Sequence, residues 1–184
     1  MEVPTKRFLL RDFVEADRSA FLVYQADPRA RAFYGPDEAN PTHAAQLFET
    51  FRSWAAERPR LNYQLAIVQR SEPHALVGCC GLRRSKAEPG EAELGVELAP
   101  DYWGRYGYAV EVGRALLDFG FAELGLTAIS GSTVSANDRV QRLAAWFGAE
   151  VESVRPGPAW MTDRGWSAVD WRITRDQWVS HAAV

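Results

Sequence analysis

The segment YWGRYGYAVEVGRALLDFGF, which begins at Tyr102, places glycines directly before a helical pattern. No Ser, Thr, Asp or Asn stands where a side chain would cap the first N–H groups of that helix. An anion such as a phosphate can take that place, because the free N–H groups and the helix dipole both favour negative charge. Alternatively, the glycines serve only a tight turn that needs a positive φ. The segment alone leaves both interpretations open.

In the anion-binding interpretation, the backbone N–H groups of roughly residues 104–109 hold the ligand. The small residues among them would let a phosphate approach the backbone, and Arg105 would add a charge-assisted contact. The segment lacks the Lys-Ser or Lys-Thr of a Walker loop, and its glycine spacing differs from that of the dinucleotide fingerprint. The candidate binding residues of this loop are Gly104, Arg105, Tyr106, Gly107, Tyr108 and Ala109.

The preceding segment GEAELGVELAP alternates as a strand does and runs straight into this loop. One face carries Ala92, Leu94, Val96 and Leu98, and the other carries Glu91, Glu93, Gly95 and Glu97. A solvated acidic face is one interpretation. In the other, the face borders a ligand, and the clustered carboxylates raise one another's pKa as a general base requires. We expect Glu93 to be the base, acting through water, with Glu97 as the second candidate.

The remaining patterns predict the element order β-α-α-β-β-β-α-β-α-β-β, followed by a short polar tail. Three strands of antiparallel type precede a strand–helix–strand unit, so we expect an α/β protein with a mixed sheet and helices on both faces. The length of 184 residues, without a repeat or linker, predicts one domain over 1–184. The helix that follows the glycines should run from Tyr108 to Leu124 and end at Gly125.

Composition excludes several classes of protein. The net charge of −3 and the lack of a basic run argue against a nucleic-acid partner. No apolar run approaches the ~18 residues of a membrane span, and the first residues contain no signal-peptide core. Cys79 and Cys80 are adjacent, so a bridge between them would be strained, and with His74 they make a poor zinc site. We therefore expect a soluble cytoplasmic protein without a metal.

Three segments together resemble the GNAT acyl-CoA N-acyltransferases, and most closely the branch that acetylates the N-termini of ribosomal proteins. They are TKRFLLRDFVEAD, AELGVELAPDYWGRYGYAVEVGRALLDFGFAELGL and TVSANDRVQRLAAWFGAEV, and the resemblance covers nearly the whole chain. It implies a three-layer fold whose mixed, mostly antiparallel central sheet has splayed middle strands. It also implies that acetyl-CoA is the co-substrate and that its pyrophosphate is the anion at the helix start.

The resemblance further implies how the rest of the cofactor binds. The pantetheine arm would pair like an extra strand with the backbone near Leu98 and Ala99, and Asn137 would contact it. A strand N–H would polarise the thioester carbonyl, and a neutral amine would attack directly, without a covalent enzyme intermediate. Without the family, Asn137 is equally well explained as a helix N-cap.

The chain departs from the family pattern at three places. Gly104 stands where the family has Gln or Arg, and Tyr106 is inserted into the usual Trp-Gly-x-Gly-Tyr-Ala. Val140 and Ala144 occupy the two positions where the family usually keeps a hydroxyl acid. Gly148-Ala149 replaces the usual Gly-Phe. We expect no acid from residues 138–147, so water, or the proton of the attacking ammonium, would reach the departing thiolate. The competing idea is a tyrosine, either Tyr106 or Tyr108.

The acceptor is an amine, and our first expectation is the α-amino group of a peptide or protein. The alternatives are a small amine (a polyamine, amino sugar or antibiotic) and a catalytically weak acyl-CoA-binding regulatory domain. One or two aromatic residues should line the acceptor site, from the set Phe33, Tyr34, Trp54, Trp160 and Trp166. The loop from Trp160 to Trp166 is either a wall of that site or part of a homodimer contact.

Overall fold

The computed structural model describes residues 1–37, 40–105 and 107–182. One eight-stranded sheet, in the order β1-β2-β3-β4-β5-β6-β8-β7, forms its centre. The strands are β1 (Glu2–Pro4), β2 (Phe8–Arg11), β3 (Asn62–Gln69), β4 (Leu76–Arg83), β5 (Glu91–Leu98), β6 (Ala128–Val134), β7 (Glu150–Pro156) and β8 (Ser167–Thr174). The helices are α1 (Arg18–Ala26), α2 (Pro41–Ala56), α3 (Tyr108–Asp118), α4 (Asp138–Trp146), α5 (Ala159–Thr162) and α6 (Arg175–Ala182).

The helices form layers on both faces of the sheet, as the sequence predicted. On one face, α1 and α2 bury a cluster of aromatic rings against β3 and β4, including Phe21, Phe48 and Phe51. On the other face, α3 covers β2–β4 through Val112 and Leu116. The second cluster on that face packs α3, α4 and α6 over β6 and β8. The predicted α/β fold with a mixed, mostly antiparallel sheet is therefore confirmed.

The two middle strands diverge. Strands β5 and β6 are parallel and pair only from Glu91–Glu93 to Ala128–Ser130. Beyond that point β5 continues along β4 as far as Leu98, whereas β6 continues along β8 as far as Val134. A wedge-shaped gap therefore opens in the middle of the sheet, and it opens toward the loop that precedes α3.

The C-terminal segment was predicted as a polar tail, and this prediction is wrong. Residues Arg175–Ala182 form α6, because one large apolar side chain anchors the segment. Trp178 is only 4% exposed, and its Nε1 donates a hydrogen bond of 2.9 Å to Asp118 at the end of α3. Burial of one indole ring is enough to hold a short, otherwise polar helix against the protein. Strand β1 and the short helix α5 were also not predicted.

The helix after the glycines ends as expected but not as a continuous α-helix. It changes to a π-helical turn at Phe119–Glu123, and Gly125 then adopts a φ of +66°. Close packing accompanies this change, since Gly120 lies against Leu82, Leu126 and Ile129 with no room for a larger residue. The helix start at Tyr108 and the terminating glycine both agree with the sequence prediction.

Candidate active site

Two connected cavities occupy the gap between β5 and β6. The loop cavity, of about 390 Å³, lies beside the loop before α3 and is lined by that loop, β5 and α4. The inner cavity, of about 470 Å³, lies deeper and extends toward α1 and α2. The two cavities share a set of lining residues, so they meet: Tyr34, Val96, Glu97, Asn137, Val140 and Leu143.

The backbone of β5 presents polar groups along the edge of the gap. Ala99 donates its N–H to the carbonyl of Val77 at 2.8 Å, which directs it toward β4 and away from the gap. Because successive residues of a strand point their backbone groups to opposite sides, Val96 and Leu98 direct theirs toward the gap. The carbonyl of Leu98 already accepts a hydrogen bond of 2.7 Å from Trp103 Nε1. The edge available to a ligand is therefore at Val96 and Leu98 rather than at Ala99.

The loop before α3 has the backbone that its glycines predict. Gly104 and Gly107 have φ values of +70° and +76°, a region that favours glycine. Gly107 precedes the first residue of α3, and no side chain caps that end of the helix. Gly104, Arg105 and Ala109 line the loop cavity, while Tyr106 lies outside the described residues. The glycines therefore serve a tight turn with positive φ, and the N-terminus of α3 also lacks a side-chain cap. The two interpretations of the loop sequence are compatible.

The start of α3 is fixed to the segment before β2 by a partly buried carboxylate. Glu111 accepts hydrogen bonds from Thr5 Oγ1, at 2.6 Å, and from the backbone N–H and Nε of Arg7. Burial alone would raise the pKa of Glu111, but these hydrogen bonds outweigh it, so its pKa is lowered. Arg7 also donates to the carbonyl of Gly107 at 3.1 Å. The orientation of the helix start is thus set before a ligand arrives.

Tyr108 does not direct its ring into either cavity. The ring lies edge-on to Phe8 at 4.8 Å between centroids, and the guanidinium of Arg7 lies 4.7 Å from its centre on one face. The ring is therefore packed against β2. Tyr108 can therefore contribute only its backbone N–H to a ligand at the loop.

Helix α4 supplies cations that the sequence analysis missed. Arg139 and Arg142, three residues apart on one face of α4, line the loop cavity together with Arg105. The guanidinium of Arg139 lies 4.6 Å from the centre of the Trp103 ring. Asn137, whose Oδ1 accepts from the N–H of Val140 at 3.4 Å, caps this helix and also lines both cavities. The three-residue spacing of the arginines was the signal available in the sequence.

The acidic face of β5 is not a cluster of unpaired carboxylates. Glu93 forms an ion pair with Arg83 at 2.9 Å, and its side chain is 50% exposed. Glu91 forms an ion pair with Arg172 at 2.6 Å. Each of these carboxylates therefore has its own cation, and the mutual rise in pKa that the sequence suggested is not the effect that operates at Glu97.

Glu97 lies where the two cavities meet and is held by other segments of the chain. Its carboxylate accepts hydrogen bonds from Tyr34 Oη and Gln25 Nε2. Burial raises the pKa of Glu97, and the hydrogen bonds from Tyr34 and Gln25 only partly oppose this effect. A carboxyl group with a raised pKa at the junction of two cavities has the position and the basicity of a general base.

The aromatic residues have three different environments. Tyr34 lines both cavities, and Phe33 lines the loop cavity. Trp54 instead packs on Phe51 within the aromatic cluster of α2. Phe33 also contacts the loop between β7 and β8, with its ring 6.0 Å from that of Trp166.

The contact between residues 33–35 and residues 160–166 spans the two arms of the sheet. A side chain added at Gly35 would meet the Trp160 ring at 2.7 Å, so the tryptophan lies directly on that backbone. Arg164 lies near both tryptophans of this loop, 5.5 Å from the ring centre of Trp160 and 5.1 Å from that of Trp166.

The two cysteines are buried thiols. Burial, with the nearby charge of Glu97, raises the pKa of Cys79 to about 12, so the thiol stays protonated and is a poor nucleophile. Within residues 1–37, 40–105 and 107–182, no three His, Cys, Asp or Glu side chains are grouped so as to hold a metal ion. In the same part of the chain, no helix has the length and apolar character needed to cross a membrane.

Residues 7–150 match the family model described as the acetyltransferase (GNAT) domain, so the chain belongs to the GNAT acetyltransferases. It is therefore an acyl-CoA-dependent N-acyltransferase of the GNAT type, and the resemblance stated from the sequence is confirmed. The family uses acetyl-CoA.

Particular relatives agree with this assignment. The uncharacterized N-acetyltransferase YoaA of Bacillus subtilis (strain 168) is 26% identical over 151 residues, which are 82% of this chain and 83% of YoaA. Two solved structures share the fold. Ribosomal-protein-S5-alanine acetyltransferase from Vibrio fischeri has a TM-score of 0.76 at 14% identity, with 97% of this chain and 98% of that chain covered. Spermidine N-acetyltransferase from Vibrio cholerae, in complex with CoA and spermine, has a TM-score of 0.75 at 15% identity, with 94% and 98% covered.

Proposed function

We propose that this protein transfers the acetyl group of acetyl-CoA directly to a primary amine, with Glu97 as the general base. The observation that carries the proposal is the position of Glu97 at the junction of the two cavities. A base at this point can reach an amine in the inner cavity while the thioester of a cofactor in the loop cavity lies beside it. Residues 1–184 would act as one cytoplasmic domain without a metal ion.

The loop cavity fits the cofactor by charge and by backbone geometry. The pyrophosphate would bind the N–H groups of residues 104–109, beside Arg105 and Arg139, where the helix dipole adds positive potential. The pantetheine arm would then pair with the gap edge of β5 at Val96 and Leu98, and the amide of Asn137 would contact it. Relative to the sequence expectation, the pairing moves from Ala99 to Val96, because the N–H of Ala99 is bonded to Val77.

The reaction needs only a base and a polarised carbonyl. Glu97 would remove a proton from the acceptor ammonium, directly or through a water, and the neutral nitrogen would attack the thioester carbon. The N–H of Val96, which points into the gap, would stabilise the oxyanion until the carbon–sulfur bond breaks. The thiolate leaves as a weak base, since a thiol has a pKa of about 8.5. It would take, through water, the second proton that the nitrogen loses as the amide forms, while Glu97 holds the first. Residues 138–147 contain no hydroxyl or thiol that could act instead.

Glu97 is preferred over Glu93, which was the first expectation from the sequence. The carboxylate of Glu93 is half exposed and already forms an ion pair with Arg83. Glu97 is bound by uncharged partners at the junction of the two cavities, and burial raises its pKa, as a general base requires. Glu93 would then line the inner cavity together with Arg83 and take no part in proton transfer.

For the acceptor we propose the α-amino group of a peptide or protein N-terminus. The inner cavity is lined by Glu93, Glu97 and Tyr34, which can bind the positive charge and the N–H groups of such an amine. The enclosed inner cavity, with apolar Leu47 and Phe51 on one wall, favours a small amine as the second candidate. Both acceptor types are represented among the related structures, one by a ribosomal-protein acetyltransferase and the other by a spermidine acetyltransferase.

A panel of acceptors tests this choice. Peptides with a free N-terminal Ser, Ala or Met should give the highest kcat/KM with acetyl-CoA, measured by mass spectrometry of the acetylated product. The same peptides with a blocked N-terminus and an internal lysine are the matched control and should react poorly. Acetylation of spermidine, a diamine or an amino sugar, with none of the peptides, would contradict the peptide acceptor and support the second candidate.

A further inference from the structure

The outer face of α4 continues beyond the arginines to an exposed tryptophan. Arg139, Arg142, Leu143 and Trp146 all line the loop cavity, and their spacing of three and four residues places them on one side of the helix. Trp146 is 61% exposed, at the last residue of α4. A large aromatic ring that is exposed at the mouth of a cavity is typical of a binding surface rather than of core packing.

The order of side chains along α4 follows the order of chemical groups along CoA. Asn137 lies at the junction of the cavities, where the pantetheine arm would end. With a rise of 1.5 Å per residue, Trp146 lies about 13 Å farther along the helix axis, with the two arginines between them. The part of CoA beyond the pantetheine arm is the pyrophosphate and then adenosine 3′-phosphate. The cavity therefore continues from the pantetheine site to a cationic and finally an aromatic surface.

The arginines of this cavity are not neutralised by the protein. Within residues 1–37, 40–105 and 107–182, no carboxylate forms an ion pair with Arg105, Arg139 or Arg142. Arg139 stacks on Trp103, and Arg105 donates to the carbonyl of Asp101 at 3.5 Å, so both are held near the loop. Arg142 is one helical turn from Trp146 and is the cation closest to it in sequence. It can form a charge-assisted contact with a phosphate next to the ring.

We propose that Trp146 stacks on the adenine ring of CoA and that Arg142 binds its 3′-phosphate. The inference rests on the proposed binding of acetyl-CoA, and it assigns the nucleotide end of the cofactor to α4. A base presents a flat π-surface to an indole ring, and stacking of this kind does not require a particular hydrogen-bond pattern. The exposure of Trp146 is then explained as an open stacking surface for the cofactor.

Two ligands separate this inference from cofactor binding in general. Titration calorimetry would compare CoA with 4′-phosphopantetheine, which has the same arm but lacks the adenosine 3′,5′-bisphosphate. Trp146→Ala should weaken CoA binding roughly 5- to 150-fold, the range that base–aromatic stacking gives on alanine substitution. It should leave the affinity for 4′-phosphopantetheine unchanged. Trp146→Phe, which keeps an aromatic ring, should restore most of the CoA affinity.

The 3′-phosphate contact has its own comparison. Arg142→Gln should weaken CoA binding by about tenfold but leave dephospho-CoA, which lacks the 3′-phosphate, unaffected. Equal losses for both ligands would overturn the role of Arg142.

Three outcomes would contradict the stacking of Trp146 on adenine without contradicting the proposed reaction. Trp146→Ala binds CoA as the wild type does, or it loses affinity equally for CoA and 4′-phosphopantetheine, or it changes the oligomeric state at equal CoA affinity. The last result would make the ring a contact between protein chains. Failure of the wild-type protein to bind either ligand would instead contradict the proposed cofactor, so the two failures are distinguishable.

Discussion

Replacement of Glu97 by Gln is expected to lower kcat by about 10²- to 10⁴-fold and to leave the affinity for acetyl-CoA nearly unchanged. The amide keeps the size of the carboxylate and can still accept from Tyr34, but it cannot take a proton from the amine. Glu93→Gln is the matched control, because it is the same substitution on the same face of β5, four residues earlier. We expect it to retain most of the turnover, since the Glu93 carboxylate is already paired with Arg83.

The pH dependence gives a second test of the same residue. A base acts in its deprotonated form, so kcat/KM should fall as the pH is lowered through the pKa of Glu97. Because burial raises that pKa, the fall should begin above the range of an ordinary carboxyl group. This acid limb should be absent from the residual activity of Glu97→Gln. Turnover of Glu97→Gln within twofold of wild type, or a large loss in Glu93→Gln instead, would show that the base is not Glu97.

The second large effect is expected at the loop before α3, where Gly104→Val should weaken CoA binding by tenfold or more. Gly104 has a φ of +70°, no atom lies within 4 Å of the position of an added Cβ, and the residue lines the loop cavity. Valine would place a side chain beside the proposed phosphate site and would also oppose the backbone conformation. A tenfold change in affinity corresponds to about 1.4 kcal/mol.

Gly125→Val controls for backbone strain in this experiment. Gly125 has a φ of +66° and likewise no atom within 4 Å of an added Cβ, but it lies at the far end of the same helical segment. Both variants should lose a similar free energy of unfolding, about 1–3 kcal/mol for a non-glycine residue at positive φ. Only Gly104→Val should lose CoA affinity by calorimetry and the rise in Tm that CoA produces. Equal CoA affinities in the two variants would exclude the loop as the phosphate site.

Local patterns predicted most of the secondary structure. The alternation in β5, the helical spacing in α2 and the glycines at 107 and 125 each determine structure within a few residues, and the structure agrees with them. The tail was missed because α6 is held by one indole ring against Asp118, a contact between residues sixty positions apart. The pattern of apolar residues within an eight-residue segment cannot predict such a contact.

The site was only partly predictable for the same reason. The sequence places Glu93 and Glu97 on one strand face, but the difference between them comes from other segments. Arg83 neutralises the first, and Tyr34 and Gln25, more than sixty residues away in the chain, enclose the second. The divergence of β5 from β6 is likewise a property of the sheet, since it depends on which strand each of them follows after Glu93 and Ser130. The pairing of β5 with β4 thus decides which N–H groups of β5 face the gap.

The central claim is direct acetyl transfer from acetyl-CoA to an amine, and a rapid-quench experiment tests it most directly. The protein is mixed with acetyl-CoA in the presence and absence of an acceptor from the panel, and CoA thiol and acetylated amine are measured in the same samples. We predict that CoA is released only when the amine is present, in equal amount to the acetylated amine. The mass of the protein should stay unchanged when the amine is omitted. A burst of CoA with an acetylated protein in the absence of amine, or no acetylated amine from any acceptor, would contradict the account.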